Sequence, residues 1–468
     1  MKYDLAIIGG GSAGLSIAAA AAQFGERVVL FEKGEMGGDC LNFGCVPSKS
    51  LLAAAKAAHA QRSSAPFGIA SVEPKINYAK VMARIENVIA TIAPIDSQER
   101  FEKLGVTVVR AAAKFVESDK LEADGKTYSA RKIVIATGSR AANPDINGLA
   151  EIPYFTNETI FKNRVRPKHL IIIGGGSIGL EMAQAHRRLG CAVTVLEQQH
   201  PLAKDDPELV AVVISTLRDE GVDIRVGMSI TKISKTKSGI RLVLDNGEVI
   251  AGSHVLVATG RVPNIENLNL SVAGIAFNNG GIIVDSGLRS RNRRVYAAGD
   301  VVGGLQFTHV AAYHAGLIIR SALFKLRVKN RADIIPWVIY TDPELAHVGL
   351  NEIQARAIYG QRIKILHWPF AENDRAQTEA KTKGLVKIVV TKNGRILGAS
   401  IVGSGAGELI APWVLAISQK LKISAVAKLV LPYPTLSEAG KRAAISNFSS
   451  LPKNHMVRRL LGFLKLFG

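Results

Sequence analysis

Gly9-Gly10-Gly11-Ser12-Ala13-Gly14 lies between an apolar run, Tyr3 to Ile8, and an alanine-rich stretch. The run predicts a buried parallel strand and the alanines a helix. A second strand, Arg27 to Phe31, ends at Glu32, 18 residues after Gly14. This is G-x-G-x-x-G between strand and helix. Its glycines permit a tight turn and close approach of the backbone to a pyrophosphate. The helix N-terminus faces that charge, and the acid accepts hydrogen bonds from a ribose.

The theme recurs further along. Leu170 to Ile173 reads as a strand, Gly174, Gly176 and Gly179 repeat the glycines, and Ala192 to Leu196 is a second strand before Glu197. Each half later runs an apolar strand into Ala-Thr-Gly, at Ala136-Thr137-Gly138 and Ala258-Thr259-Gly260. One Gly-rich turn is weak evidence. Two copies with strands, helices, acids and matching closers predict two dinucleotide sites, one for a flavin and one for a nicotinamide. After Gly260 the strand Arg294 to Ala298 and Gly299-Asp300 read as a return to the first unit. From Pro336 on, strands Leu385 to Val390 and Ile396 to Val402 alternate with helices, which predicts a third, α+β domain.

Bulk properties agree with this plan. A chain of 468 residues is too long for one core. Lys+Arg exceed Asp+Glu by 59 − 39 = 20. That surplus suits phosphate-bearing cofactors or an anionic surface. No basic run carries interleaved aromatics, so nucleic acid is not an expected partner. Three cysteines exclude a disulfide-stapled secreted scaffold. Leu15 to Ala22 is apolar, but the neighbouring glycines and Asp4 argue against a signal peptide. No apolar stretch has the length to span a bilayer.

Two of the cysteines lie close together, in Gly37-Gly38-Asp39-Cys40-Leu41-Asn42-Phe43-Gly44-Cys45-Val46-Pro47-Ser48-Lys49. Five residues of regular helix give ~7.5 Å of rise and about 140° of rotation, too far apart for a disulfide. Gly44 and Pro47 are residue types that let the backbone leave the helix. A helix is expected to start near Lys49. A structural disulfide would close only a tiny loop. A metal site would need further ligands, and none lies nearby before His59. A redox pair fits better, because a helix N-terminus stabilises a thiolate. Cys191 reads as a buried, inert thiol.

On these motifs the chain resembles the class I flavoprotein disulfide reductases: dihydrolipoamide dehydrogenase, glutathione reductase and mercuric reductase. Glu181, Tyr296-Ala297-Ala298-Gly299-Asp300 and Thr341-Asp342-Pro343-Glu344 extend the likeness over nearly the whole chain. The resemblance implies an α/β fold of two nested Rossmann-like domains and a C-terminal α+β dimerisation domain. An FAD domain would span 1–145 and 262–332, a nicotinamide domain 146–261 and an interface domain 336–450. FAD would lie on Gly9, Gly11, Ser12, Gly14, Glu32, Lys33, Gly38, Thr137, Gly138, Asp300, Thr308 and His309. Gly174, Gly176, Ser177, Gly179, Glu197 and Gly260 would hold the nicotinamide cofactor. Cys45 would be the flavin-side thiolate, Cys40 the interchange thiol, and Lys49 would pair with Glu181 near the flavin. The protein would be a cytoplasmic homodimer. Glu197, followed by Gln198 and Gln199, points to NADH rather than NADPH. Ser177 stands where glutathione reductases carry a gating Tyr, which favours the dihydrolipoamide dehydrogenase branch.

One departure limits the likeness. Disulfide-reducing members carry His-Pro-Thr-x-x-Glu, whose His is the acid–base. Here Tyr433-Pro434-Thr435-Leu436-Ser437-Glu438 keeps the frame and replaces the His. A phenol of pKa about 10 is a poor base at neutral pH. Mercuric reductases also carry Tyr, but they add a C-terminal cysteine pair that this chain lacks. His309 could substitute, although it and His314 read better as structural. Asp39 stands where the family usually has Thr. Four readings follow: a small or lipoyl disulfide as acceptor, a soft metal ion, a quinone, or a non-catalytic redox sensor. No resident metal is expected.

In the tail, Val457, Leu460, Leu461, Leu464 and Phe467 recur at helical spacing among Arg458, Arg459 and Lys465. Such a helix can lie weakly on an anionic membrane or pack on the dimer partner.

Overall fold

The computed structural model describes residues 2–237 and 239–467. The chain forms two compact units, one of residues 1–65, 69–201 and 221–332, the other of residues 66–68, 202–220 and 333–468.

In the first unit one glycine turn lies on a seven-stranded mixed sheet and the other on a four-stranded parallel sheet. Strand Lys2–Ile8 pairs in parallel with Val28–Phe31 and with Lys126–Ile135. The continuous apolar runs have both faces covered, and Val28 to Phe31 are all buried. Helix Ser12–Gln23 lies against helix Thr308–Ala322. Small buried residues such as Ala13, Ala18 and Ala21 allow this packing. Leu15 to Ala22 therefore belong to this helix. Strand Val295–Ala297 pairs with Lys126–Ile135, so the chain does return to the first sheet and delivers Gly299-Asp300 there.

The four-stranded parallel sheet runs Asp223–Val226, Ala192–Glu197, His169–Ile173, His254–Val257. Helix Ser177–Arg188 follows its glycine turn. The segments after the two Ala-Thr-Gly closers, Ser139–Ala141 and Arg261–Pro263, pair with each other as an antiparallel ribbon.

The second unit is built on a five-stranded antiparallel sheet in the order Trp337–Ile339, Glu344–Gly349, Ile396–Gly403, Leu385–Thr391, Ile363–Pro369. Every residue of Ile396–Gly403 is buried. Helices Ala411–Ser418 and Ser437–Ser446 pack on this sheet, and so does Pro207–Asp219, drawn from the middle of the chain. Lys387, on a central strand, is buried with its Nζ 2.9 Å from Asp206, 2.9 Å from Glu208 and 2.8 Å from Glu352. Burial works against its charge, but the three carboxylates prevail and raise its pKa.

Removing one partner of a buried ion pair typically costs ~3–5 kcal/mol, because the other charge is left uncompensated. Lys387→Met would strand the buried carboxylate of Asp206. It should lower the denaturant midpoint of the second unit by an amount equivalent to at least ~3 kcal/mol in equilibrium unfolding.

Candidate active site

The two glycine turns are near copies in atomic detail. Gly9 and Gly174 both have φ of +111°. A Cβ on Gly9 would meet the Ala136 carbonyl oxygen at 2.3 Å, and one on Gly174 the Ala258 oxygen at 2.4 Å. The first glycine of each motif is thus pressed onto the Ala-Thr-Gly closer of its own half. Glu32 accepts from Gly10 N at 2.6 Å and Gly34 N at 2.6 Å. Glu197 accepts from Gly175 N at 2.7 Å and Gln199 N at 2.9 Å. Each acid is locked at its strand end beside the glycine turn, and carboxylate oxygens keep further lone pairs for ribose hydroxyls.

These turns fit dinucleotides. Around Gly176, Gly138 and Gly260 an added Cβ would meet nothing within 4 Å. Gly11 has only the Gly38 Cα, at 3.7 Å. Helices Ser12–Gln23 and Ser177–Arg188 lack side-chain N-caps. Their first-turn N–H groups are available to a pyrophosphate. Gly38 has φ of +60°, and its Cβ would lie 2.7 Å from Gly11 Cα. Only glycine lets the cysteine segment press onto the first turn here.

The chain does leave the helix between the two cysteines. Cys40 lies in a short helix, Gly38–Asn42, and a new helix, Cys45–Arg62, begins at Cys45 itself. That start is four residues earlier than the sequence reading. Gly44 forms the break, where a Cβ would meet Asp39 Oδ2 at 2.9 Å and Cys40 Cα at 3.3 Å. Pro47 sits in the first turn, where a missing N–H costs nothing.

The two free thiols are unlike. A hydrogen bond from Cys40 is the largest influence on Cys45. Burial opposes ionisation, but Thr308 and the Lys49 cation assist it, and the pKa falls to about 6. Thr308 Oγ1 is 3.4 Å from the Cys45 sulfur. Cys40 is pushed the opposite way, first by its hydrogen bond to Cys45, then by burial and by the neighbouring Asp39. Lys49 Nζ lies 2.8 Å from Glu181 Oε2, and Glu181 is nearly fully buried. Cys191 is buried, and burial raises its pKa to about 12, which suits an inert thiol.

Asp39 has partners that the sequence did not reveal. Its carboxylate is 3.2 Å from Arg261 and accepts from Asn157 Nδ2 at 2.9 Å. Arg261 also donates to Ser139 Oγ at 2.7 Å, and Ser139 donates to Asp300 Oδ2 at 2.5 Å. Burial raises the Asp300 pKa against the pull of Ser139 and Arg261. The available clue was that Arg261 directly follows the second Ala-Thr-Gly.

His309 stacks on Phe307 with centroids 5.3 Å apart. His314 is buried, accepts from Gly299 N at 3.2 Å, and burial lowers its pKa. That is a structural role. Tyr433 and Glu438 belong to the second unit. The Tyr433 hydroxyl is exposed and donates to Asp374 Oδ2 at 2.9 Å, which raises its pKa. Asp374 lies 59 residues upstream, and no sequence signal linked the two.

Comparison with known proteins agrees with this geometry. Residues 3–315 match the family described as Pyridine nucleotide-disulphide oxidoreductase, and residues 335–444 match its dimerisation domain. A mercuric reductase of Lysinibacillus sphaericus is 34% identical over 451 residues, covering 95% of this chain and 82% of that protein. A dihydrolipoyl dehydrogenase of Bacillus subtilis is 33% identical over 464 residues, covering 94% of this chain and 98% of that one. The Cu(II) complex of the HOCl-induced flavoprotein disulfide reductase RclA from Escherichia coli superposes with a TM-score of 0.85 at 28% identity, covering 94% of this chain and 99% of RclA.

The pH dependence of the thiols is directly measurable. In reduced protein, Cys45 alkylation by iodoacetamide should rise with pH, inflect near 6 and level off by neutrality, since the thiolate is the nucleophile. Cys40→Ala and Thr308→Val should each move the inflection upward, as each removes a hydrogen bond that favours the anion.

Proposed function

The chain belongs to the pyridine nucleotide-disulphide oxidoreductases, and from that premise we propose that its Cys40–Cys45 pair delivers electrons from NADH to a thiol-bound soft metal ion such as Hg(II) or Cu(II). The family's members are flavoprotein oxidoreductases that use FAD and NAD(P)H, and the dimerisation-domain match supports a homodimer. Among the described residues no helix is long and apolar enough to cross a membrane. Our reading divides the chain into an FAD domain (1–145 and 262–332), a nicotinamide domain (146–261) and an interface domain (336–450). It puts the enzyme in the cytoplasm, in weak contact with membranes through residues 451–468. Glu197, held at its strand end by Gly175 and Gln199, supports NADH as the donor.

In this reading Gly9, Gly11, Ser12, Gly14, Glu32, Lys33, Gly38, Thr137, Gly138, Asp300, Thr308 and His309 hold FAD. Gly174, Gly176, Ser177, Gly179, Glu197 and Gly260 hold the nicotinamide cofactor. Bound FAD supplies the conversion of a hydride into an electron pair for the cysteines. Cys45 holds the thiolate, Cys40 meets the acceptor, and Lys49 with Glu181 keeps a cation beside Cys45.

The observation that carries the metal reading is the Tyr433–Asp374 hydrogen bond. Reducing a disulfide requires a proton for each leaving sulfur, which a positioned acid–base normally supplies. A phenol that donates to a carboxylate, with its pKa raised, does not supply that service at neutral pH. A soft ion asks for less. It displaces the thiol protons to water as it binds. Two electrons then convert Hg(II) to Hg(0), or two Cu(II) to two Cu(I). A lipoyl or other small disulfide is the second reading, supported by the intact Pro434-Thr435 and Glu438 frame.

Anaerobic NADH oxidation with Hg(II), Cu(II), lipoamide or a soluble quinone tests the choice. Metal-dependent turnover should exceed lipoamide turnover and fall at least ~100-fold in Cys40→Ala, a loss typical for a group that acts on the reacting atom. Tyr433→His should raise lipoamide turnover by ~10-fold or more, because it supplies the absent base. Lipoamide turnover above metal turnover in the wild type would favour the disulfide reading. Quinone turnover that survives Cys40→Ala while metal turnover is absent would sink both.

A further inference from the structure

We propose that helix His455–Leu464, with the residues flanking it, is a surface element that selects anionic lipid, with its apolar face in the acyl boundary and its basic face on the headgroups. This names the lipid class for the weak membrane contact suggested above, and it is independent of the redox reading. Asn454 caps helix His455–Leu464 by accepting from Met456 N, so the helix begins on its own signal. None of its residues is buried. Met456, Leu460, Leu461, Phe463 and Leu464 are each more than half exposed, and so is Phe467 just beyond. At 100° per residue these side chains fill one arc of the helix, and Arg458, Arg459 and Lys465 fill the opposite arc. The two faces meet no other part of the described chain in a way that would bury them.

Charge decides the occupant. After Glu438 the chain has no acidic residue, while Lys441, Arg442, Lys453, Arg458, Arg459 and Lys465 follow. Pairing with the same helix of a second copy would bury the apolar arc alone and leave Arg458, Arg459 and Lys465 in water, where the facing helix offers no counter-charge. The dimerisation-domain match ends at residue 444, before this helix starts. An anionic bilayer satisfies both faces at once. The apolar arc sinks ~5–10 Å into the headgroup–acyl boundary, and each surface cation gains from the negative lipid potential.

The test is co-sedimentation of the full-length holoenzyme with vesicles of phosphatidylcholine alone or mixed with phosphatidylglycerol. The expected result is pelleting with the mixed vesicles only, weakening as salt is raised. Arg458→Glu with Arg459→Glu should weaken binding by at least ~10-fold, since two favourable charges become repulsive. Leu460→Glu with Leu464→Glu should abolish it. Arg327→Glu with Lys329→Glu changes the net charge equally elsewhere and should leave binding intact. Equal pelleting with both vesicle types would overturn the anionic selectivity while leaving membrane contact standing. No pelleting, with the tail variants shifting the dimer–monomer equilibrium on a sizing column, would overturn the lipid surface in favour of a partner chain.

Discussion

Between Cys40 and Cys45 the chain has to stop being a helix. A regular helix would turn the sulfurs away from each other and separate them along its axis. Gly44 makes the break, and a side chain there would crowd Asp39 and the Cys40 backbone. Two consequences follow from that one residue. The thiols come into mutual influence, so a proton given up by one is resisted by the other. The new helix also starts on Cys45, which gives that sulfur the favourable end of the dipole. The asymmetry between the sulfurs is then set by distant segments: Thr308 from one, and Lys49 as oriented by Glu181 from another.

The same proximity creates an electrostatic problem, because Asp39 precedes Cys40 and opposes its ionisation. Arg261 answers it from the ribbon that joins the two Ala-Thr-Gly closers, and Asn157 adds a hydrogen bond. Arg261 also lies 3.8 Å from Asp300. One guanidinium therefore serves the cysteine segment and the buried acid of the returning strand. Asp39 is thus accommodated beside Cys40 through a cation fixed by the fold.

Periodic and local signals were legible in the sequence. Each glycine motif could be read because its requirement is local: a positive φ at Gly9 and Gly174, an open Cα face, an acid at the next strand end. The strands Leu385–Thr391 and Ile396–Gly403 were anticipated to within a residue, since continuous apolar runs have few alternatives. The start of the cysteine helix was misplaced because Pro47 was read as a helix breaker, whereas Pro is well accommodated in a first turn. Contacts across long separations were not legible. Nothing in the local sequence joins Tyr433 to Asp374, or Asp39 to Arg261 and Asn157. The association of Pro207–Asp219 with the second unit was equally hidden, because its amphipathic pattern fits either sheet.

The location of protons, more than that of electrons, separates the acceptor classes. Cys45 needs no external base, because Cys40, Thr308 and Lys49 already hold its sulfur ionised at neutral pH. In the proposed reading Cys40 meets the acceptor and resists ionisation, so its proton leaves as the acceptor binds. In that reading no group returns a proton to a departing sulfur. Tyr433 is committed as a donor to Asp374, and that carboxylate stabilises the protonated phenol. An acceptor that leaves as a reduced ion rather than as a thiol makes no such demand. Under the proposed metal reading, the Tyr at position 433 and the thiol pair are compatible, because thiolate chemistry is kept and proton delivery is not needed.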